Sequence, residues 1–227
     1  MDMHPTTSLK IQPLGEAAFT VTIGEAISLA ASARLLVLKR TILSAGLPGV
    51  CEVFPAYTSL LVRFDPDCSD PKSLYDALTD LCFSAPASDS AAGNLVEVPV
   101  VYGGVFGPDL DDVADHAGMT PGEVARLHAA GDYTVAFLGF LPGFPYLVGL
   151  DSRLACPRLA KPRQTVSAGS VGIAGGQTGI YPLESPGGWR IIGRTSLKLF
   201  EPGGDQPTLL KPGDRVRFIP ASEGAAQ

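Results

Sequence analysis

Glycine is spread so unevenly along this chain that it divides it: 4 of the 26 precede residue 93, and 22 lie from Gly93 onward. Proline splits 7 to 13 across the same point. Glycine costs backbone entropy and proline removes a hydrogen-bond donor, so the second half cannot run long helices; it can form short strands joined by tight turns. The 227 residues are enough for two small domains. Between the halves, SAPASDSAAG (Ser84 to Gly93) has turn formers and no apolar periodicity, and reads as a linker. The expected domains are 1–84 and 95–227, joined through 85–94.

The first half has the pattern of an α+β domain. Ala18 to Ile23 is a short β-like run, and Ile27, Ala31, Leu35, Leu38 and Ile42 then recur at helical spacing before Gly46. Val50 to Phe54 and Ser59 to Phe64 read as two strands. Asp70-Pro71 offers an N-cap with proline at the first helical position, and Leu74, Leu78 and Leu81 supply the buried stripe. With Val96 to Val101 as a closing strand the order is β-α-β-β-α-β, the split βαβ pattern.

The second half opens with two short helices. Leu110, Val113, Ala114 and Ala117 share a face, and Thr120-Pro-Gly-Glu123 is a capping box with proline at the first helical position. Beyond Tyr133 come VAFLGF, TVSAGSVGI, GIYPL, WRIIG, SLKLF and RVRFI, separated by Gly/Pro turns, the rhythm of a small barrel or sandwich. Tyr133 to Leu150 carries no charge over 18 residues, the minimum length for a membrane span. Three glycines and two prolines inside it would leave backbone groups without partners in lipid, so a span is not expected. Within it lies GFLPGFPYL (139–147), three large aromatics on a segment that suits neither helix nor core strand.

A formal charge of −6 argues against a nucleic-acid partner. Cys51, Cys68, Cys82 and Cys156 are scattered, and with three histidines no metal site assembles from sequence neighbours. No charged and apolar leader pattern opens the chain, and reduced thiols fit a cytoplasmic protein.

Gly172-Ile-Ala-Gly-Gly-Gln-Thr-Gly179 lacks the lysine and following helix of a phosphate loop, so a barrel turn is the expectation. Ala168-Gly-Ser170-Val-Gly172 is one letter from a nucleophile elbow but is followed by β-like residues, not a helix. Asp109, Asp111, Asp112 and Asp115 read as a solvated helix start favoured by the dipole. His128, beside the apolar stripe of its helix, is either a satisfied core-edge histidine or a proton-transfer group titrating near working pH. The broader signal is a collection: Lys161-Pro-Arg163-Gln164, Gln177 to Tyr181, and Ser185-Pro-Gly-Gly-Trp189 followed by Arg194. Arginine forks suit carboxylate or phosphate, and aromatic bodies wall a ligand pocket. The alternative is that Trp189 and Tyr181 plug a barrel end.

GFLPGFPYL, PRLAKPRQTVSAGSVGIAGGQTGIYP and SPGGWRIIGRTSLKLF, with EVFPAYTSLLVRFDP and VPVVYGGVFGPDLDDVA, closely resemble the family of the 5-oxoprolinase B-type subunit. The same family is known as allophanate hydrolase subunit 1 or the Kip-type inhibitor of sporulation kinase. The resemblance runs from about Gly15 to Pro220. It implies a ferredoxin-like N-terminal domain, a cyclophilin-like β-barrel, and assembly with a second cyclophilin-like subunit and a third subunit. Such complexes hydrolyse 5-oxoproline to glutamate at the expense of ATP, whose location in the assembly the sequence leaves open. A chain acting alone is expected to be inactive.

The site expected on this basis has Arg163, Arg194 and His128 as candidate catalytic groups. Phe140, Pro142, Gly143, Phe144, Tyr146, Gln177, Tyr181, Gly187, Gly188 and Trp189 are the candidate substrate-binding groups, with no metal. Ser167 stands where the family more often has proline. Two rival roles accompany the resemblance: a regulator that binds a sensor histidine kinase, and a carboxyltransferase-type subunit of a urea pathway.

Overall fold

A computed structural model describes residues 9–24, 26–86 and 93–222. The chain forms two compact units, 1–91 and 92–227. Most of the expected linker, residues 87–92, lies outside the described residues.

The first unit is a four-stranded antiparallel sheet with two helices. Its strands are β1 (Leu9–Pro13), β2 (Ala18–Ile23), β3 (Val50–Pro55) and β4 (Ser59–Phe64), in the order β1-β2-β4-β3. Helix α1 (Leu29–Ser44) joins β2 to β3 with β4 inserted between them, so the split βαβ crossover is present. The Ser28 hydroxyl accepts the Ala31 N–H and starts α1 two residues beyond Ile27, which is left exposed. Asp70 caps α2 (Pro71–Ser84) through the Ser73 N–H at 2.8 Å. Leu35, Leu38 and Ile42 from α1 meet Leu74 and Leu78 from α2 over Val21, Leu60 and Val62 of the sheet.

The closing strand differs from expectation. The edge beside β2 is filled by Leu9–Pro13, and the run at Val96–Val101 belongs instead to β5 (Leu95–Tyr102) of the second unit. LKIQP alternates too briefly to declare itself, whereas LVEVPVVY looks like any core strand; its partner cannot be read locally.

The second unit is a closed barrel. Its strands are β5, β6 (Tyr133–Leu138), β7 (Pro145–Val148), β9 (Ser170–Ala174), β10 (Gln177–Ile180), β12 (Arg190–Arg194) and β13 (Arg215–Pro220), ordered β10-β7-β6-β13-β5-β12-β9 and closed by β9 on β10. Only β5 and β13 run parallel. A separate two-stranded ribbon pairs β8 (Arg163–Val166) with β11 (Ser185–Gly187). TVSAGSVGI is thus two strands broken at Gly169 (φ +80°), and SLKLF is not a strand, contributing one bridge, Phe200 to Thr208.

Helices α3 (Leu110–Ala117) and α4 (Pro121–Ala129) pack their apolar faces on the barrel core, where Val113, Ala114 and Val124 meet Val98, Val135, Ile192 and Phe218. The capping box forms as expected: the Glu123 N–H donates to the Thr120 hydroxyl, and the Thr120 N–H donates to the Glu123 carboxylate at 2.8 Å.

Candidate functional site

GFLPGFPYL is the β6–β7 hairpin connection together with the start of β7. Gly139 N–H donates to Phe144 O at 3.1 Å and closes the loop. Inside it are two successive turns. Leu141 N–H donates to Gly139 O at 2.7 Å around Phe140, whose φ is +65°, giving the rare γ-turn of positive φ. Phe144 N–H then donates to Leu141 O at 3.0 Å around Pro142 and Gly143 (φ +79°), with proline and glycine where a type II turn wants them. Pro145 is tolerated as the first residue of its strand.

The turns send the aromatic rings in opposite directions. Phe144 is buried, with ring centroids 5.2 Å from Tyr181, 5.4 Å from Trp189 and 4.9 Å from Tyr146. Val166, Ala174 and Ile191 complete this second small core. Phe140 stays 61% exposed, its ring edge-on to Phe144 and Tyr181. So the expected aromatic set is brought together, but Phe144, Tyr181 and Trp189 form a packed layer, and Phe140 alone stands out in solvent. The glycines serve this packing. A Cβ on Gly179 would lie 2.9 Å from the Phe144 ring, and one on Gly187 would collide with the Tyr181 hydroxyl. The run Gly172–Gly179 is the β9–β10 hairpin, in which Gln177 pairs with Ala174 across Gly175-Gly176. Gly188 O accepts the Leu159 N–H at 2.8 Å.

The three candidate catalytic groups occupy different environments. Arg163 is held by Asp109 through a fork of two bonds, Nη1–Oδ2 at 2.9 Å and Nη2–Oδ1 at 2.6 Å. Asp109 is 3% exposed and also accepts the Ile191 N–H at 2.6 Å. The expected solvated helix start is therefore corrected at Asp109: it precedes α3 without capping it and ties the β8 ribbon to β12. Asp112 likewise pairs with Arg190.

His128 is fully buried between Tyr102 and Thr178. The Thr178 hydroxyl donates to Gly172 O at 3.0 Å and so accepts at 3.0 Å from His128 Nε2–H. That fixes the neutral tautomer, and His128 Nδ1 accepts the Tyr102 hydroxyl at 2.8 Å. Burial lowers the His128 pKa to about 3 and pushes the Tyr102 phenol upward. A histidine with both nitrogens engaged inside the barrel holds that interior together and meets no solvent.

Arg194 differs from both. Its Nε–H donates to Ala168 O at 3.0 Å, and its terminal nitrogens have no carboxylate partner among the described residues. It lines a cleft of about 500 Å³ with Lys198, Thr195, Ser196, Pro182 and Phe200. A Cβ on Gly143 would lie 3.0 Å from the Phe200 Cβ, so the cleft wall leans on the Pro142-Gly143 turn. Glu201 lines the same cleft 3.9 Å from Lys198 Nζ, so Arg194 is the cation left to hold a small anion beside the hydroxyls and the apolar wall. Sequence reasoning misses Lys198 and Phe200 because SLKLF passes for an ordinary strand. Among the described residues there is no cluster fit for a metal ion, and no helix is long and apolar enough to cross a membrane.

Residues 9–210 match the family model of the carboxyltransferase domain, subdomain C and D. The chain is 44% identical over 214 residues to the 5-oxoprolinase B-type subunit of Escherichia coli O157:H7, covering 93% of this chain and 95% of that one. The chain belongs to the family of the 5-oxoprolinase B-type subunit. Another family relative, the protein of the same name from Bacillus subtilis, is 40% identical over 96% of this chain and 95% of its own. Among solved structures, TTHA0988 superposes with a TM-score of 0.79 at 39% identity over 90% of this chain; the family member described here spans 40% of that longer chain. The Kluyveromyces lactis urea amidolyase shares the fold, with a TM-score of 0.82 at 23% identity over 99% of this chain and 15% of its own.

Proposed function

We propose that this chain is a subunit of an ATP-dependent 5-oxoprolinase, acting with a second cyclophilin-like subunit and a third subunit in the cytoplasm. The observation that carries the reading is near-full-length identity of 40–44% to 5-oxoprolinase subunits of the B type, including those of Escherichia coli and Bacillus subtilis. In finer terms, the first unit is a ferredoxin-like domain whose edge strand comes from the N-terminal side, and the second is a cyclophilin-like barrel, with the domains at 1–84 and 95–227.

The chemistry asks for anion control. A lactam is a poor electrophile, and phosphorylating its oxygen with ATP, releasing ADP, turns its carbon into a good one. Water then adds, the ring C–N bond breaks with the nitrogen taking a proton, and a second water hydrolyses the resulting acyl phosphate to glutamate and phosphate. The protein's part in such a reaction is positioning and charge stabilisation. Arg194 offers that in an open cleft, whereas the Arg163 fork is already occupied by Asp109 and Lys198 lies beside Glu201. In this reading Arg194 holds the transferring phosphoryl group, and Phe140 and the Pro142-Gly143 turn border the site. The Gly-rich hairpin is not a nucleotide loop; ATP is bound by the assembled complex.

Co-expression with the two candidate partners, followed by ATP hydrolysis with and without 5-oxoproline, tests the proposal. Turnover that 5-oxoproline does not stimulate would end it.

A further inference from the structure

We infer that Arg158, stacked on Trp189, is a carboxylate seat, and that it recognises the carboxylate of the 5-oxoproline substrate. The Arg158 guanidinium lies 6.0 Å from the centroid of the Trp189 ring, a cation–π contact. Trp189 in turn packs against Phe144 and Tyr146, at 5.4 and 5.8 Å between centroids. The result is an exposed guanidinium standing on a buried aromatic platform.

The backbone fixes this arrangement from both sides. Cys156 and Gly175 exchange two hydrogen bonds, at 3.2 and 2.7 Å. Pro157 O accepts from Arg190 Nε at 3.3 Å, and Leu159 N–H donates to Gly188 O at 2.8 Å. Arg158 is therefore flanked by tethered neighbours, which lowers the entropy cost of using its side chain. Burial raises the pKa of Tyr146 and of Tyr181, and the Arg158 charge opposes that rise at both phenols, as its closeness to them requires.

Charge pairing leaves Arg158, like Arg194, without a carboxylate among the described residues, while neighbours in sequence are paired. Arg153 is paired with Asp151, Arg163 with Asp109 and Arg190 with Asp112. Arg158 has no carboxylate partner among the described residues. A single planar fork matches one carboxylate in two parallel bonds.

The substrate assignment rests on the proposed function; the seat itself does not. Trp189 is the only tryptophan in the chain, so emission excited selectively over the tyrosines reports this site alone. Titration with 5-oxoproline should give a saturable change in Trp189 emission. Arg158→Ala should weaken it at least tenfold, and Arg158→Lys, which keeps the charge but not the fork, should fall between. Arg158 is exposed, so thermal unfolding checks that both variants keep the fold. In the assembly, Arg158→Ala should raise KM for 5-oxoproline at least tenfold with kcat little changed. Equal affinity in wild type and Arg158→Ala, or a flat titration of the chain with an unchanged KM in the assembly, overturns the seat. Inorganic phosphate competing as well as 5-oxoproline overturns the carboxylate assignment. Arg158-dependent binding in a chain whose wild-type assembly shows no 5-oxoproline turnover would leave the seat standing and remove the function.

Discussion

Asp109 and Arg163 lie 54 residues apart in sequence and meet through two hydrogen bonds, with the carboxylate almost wholly out of solvent. Breaking such a pair leaves a buried charge without a partner, which costs more than the pair itself contributes. Arg163→Ala should destabilise the second unit by about 2–3 kcal/mol, below the ~3–5 kcal/mol of a fully buried pair because Arg163 is a third exposed. Urea unfolding measures it. Replacing both partners by apolar residues should recover part of the loss.

The contrast with Arg194 is one of function against stability. Arg194→Ala removes one bond to Ala168 O and should leave unfolding within about 1 kcal/mol of wild type. In the reconstituted assembly it should cut 5-oxoproline-dependent ATP turnover by about 10²-fold or more, the size seen when an electrostatic stabiliser is deleted. A variant that turns over normally would remove Arg194 from the site.

How much of this is legible in the sequence depends on distance along the chain. Asp70-Pro71 and Thr120 to Glu123 announce their helix starts because a cap is a local event, and both form. GFLPGFPYL announces a stiff connection, since proline and glycine fix backbone angles locally. The same stretch cannot reveal that Phe144 turns inward and Phe140 outward, because that depends on Tyr181 and Trp189 arriving from other strands. Val96–Val101 joins a different sheet from the one expected for a related reason: a strand's pattern records how it is buried and not its neighbour. The partner that occupies Arg163 sits on another element, so in sequence a paired arginine and an available one look alike.

His128 gives a pH prediction. Its folded pKa, about 3, lies below the ordinary value of 6.5, so between those limits the unfolded chain takes up a proton that the folded chain refuses. Stability from the neutral ring is complete above pH 6.5 and declines as pH falls, with a slope of up to about 1.4 kcal/mol per pH unit. Urea midpoints at pH 7 and pH 5 should show the drop, and His128→Gln, which keeps a donor toward Thr178, should flatten the slope attributable to this residue while lowering stability overall.

The hairpin connection separates a tolerated glycine from a required one. Phe140→Gly relieves the left-handed strain of about 1–2 kcal/mol while losing only edge contacts, so stability should change by less than about 1 kcal/mol. Gly143→Ala adds a Cβ at positive φ, 3.0 Å from Phe200 and 3.2 Å from Leu199 O, and should cost about 2 kcal/mol. Thermal unfolding of the two variants ranks them.

The central claim is that this chain is an indispensable part of a 5-oxoprolinase. Glutamate formation from 5-oxoproline and ATP should be followed in the three-subunit assembly, and again with this chain left out. The account predicts one ADP for each glutamate in the full assembly and neither product without this chain. Glutamate formed at an undiminished rate in its absence, or none from the complete assembly, would contradict it.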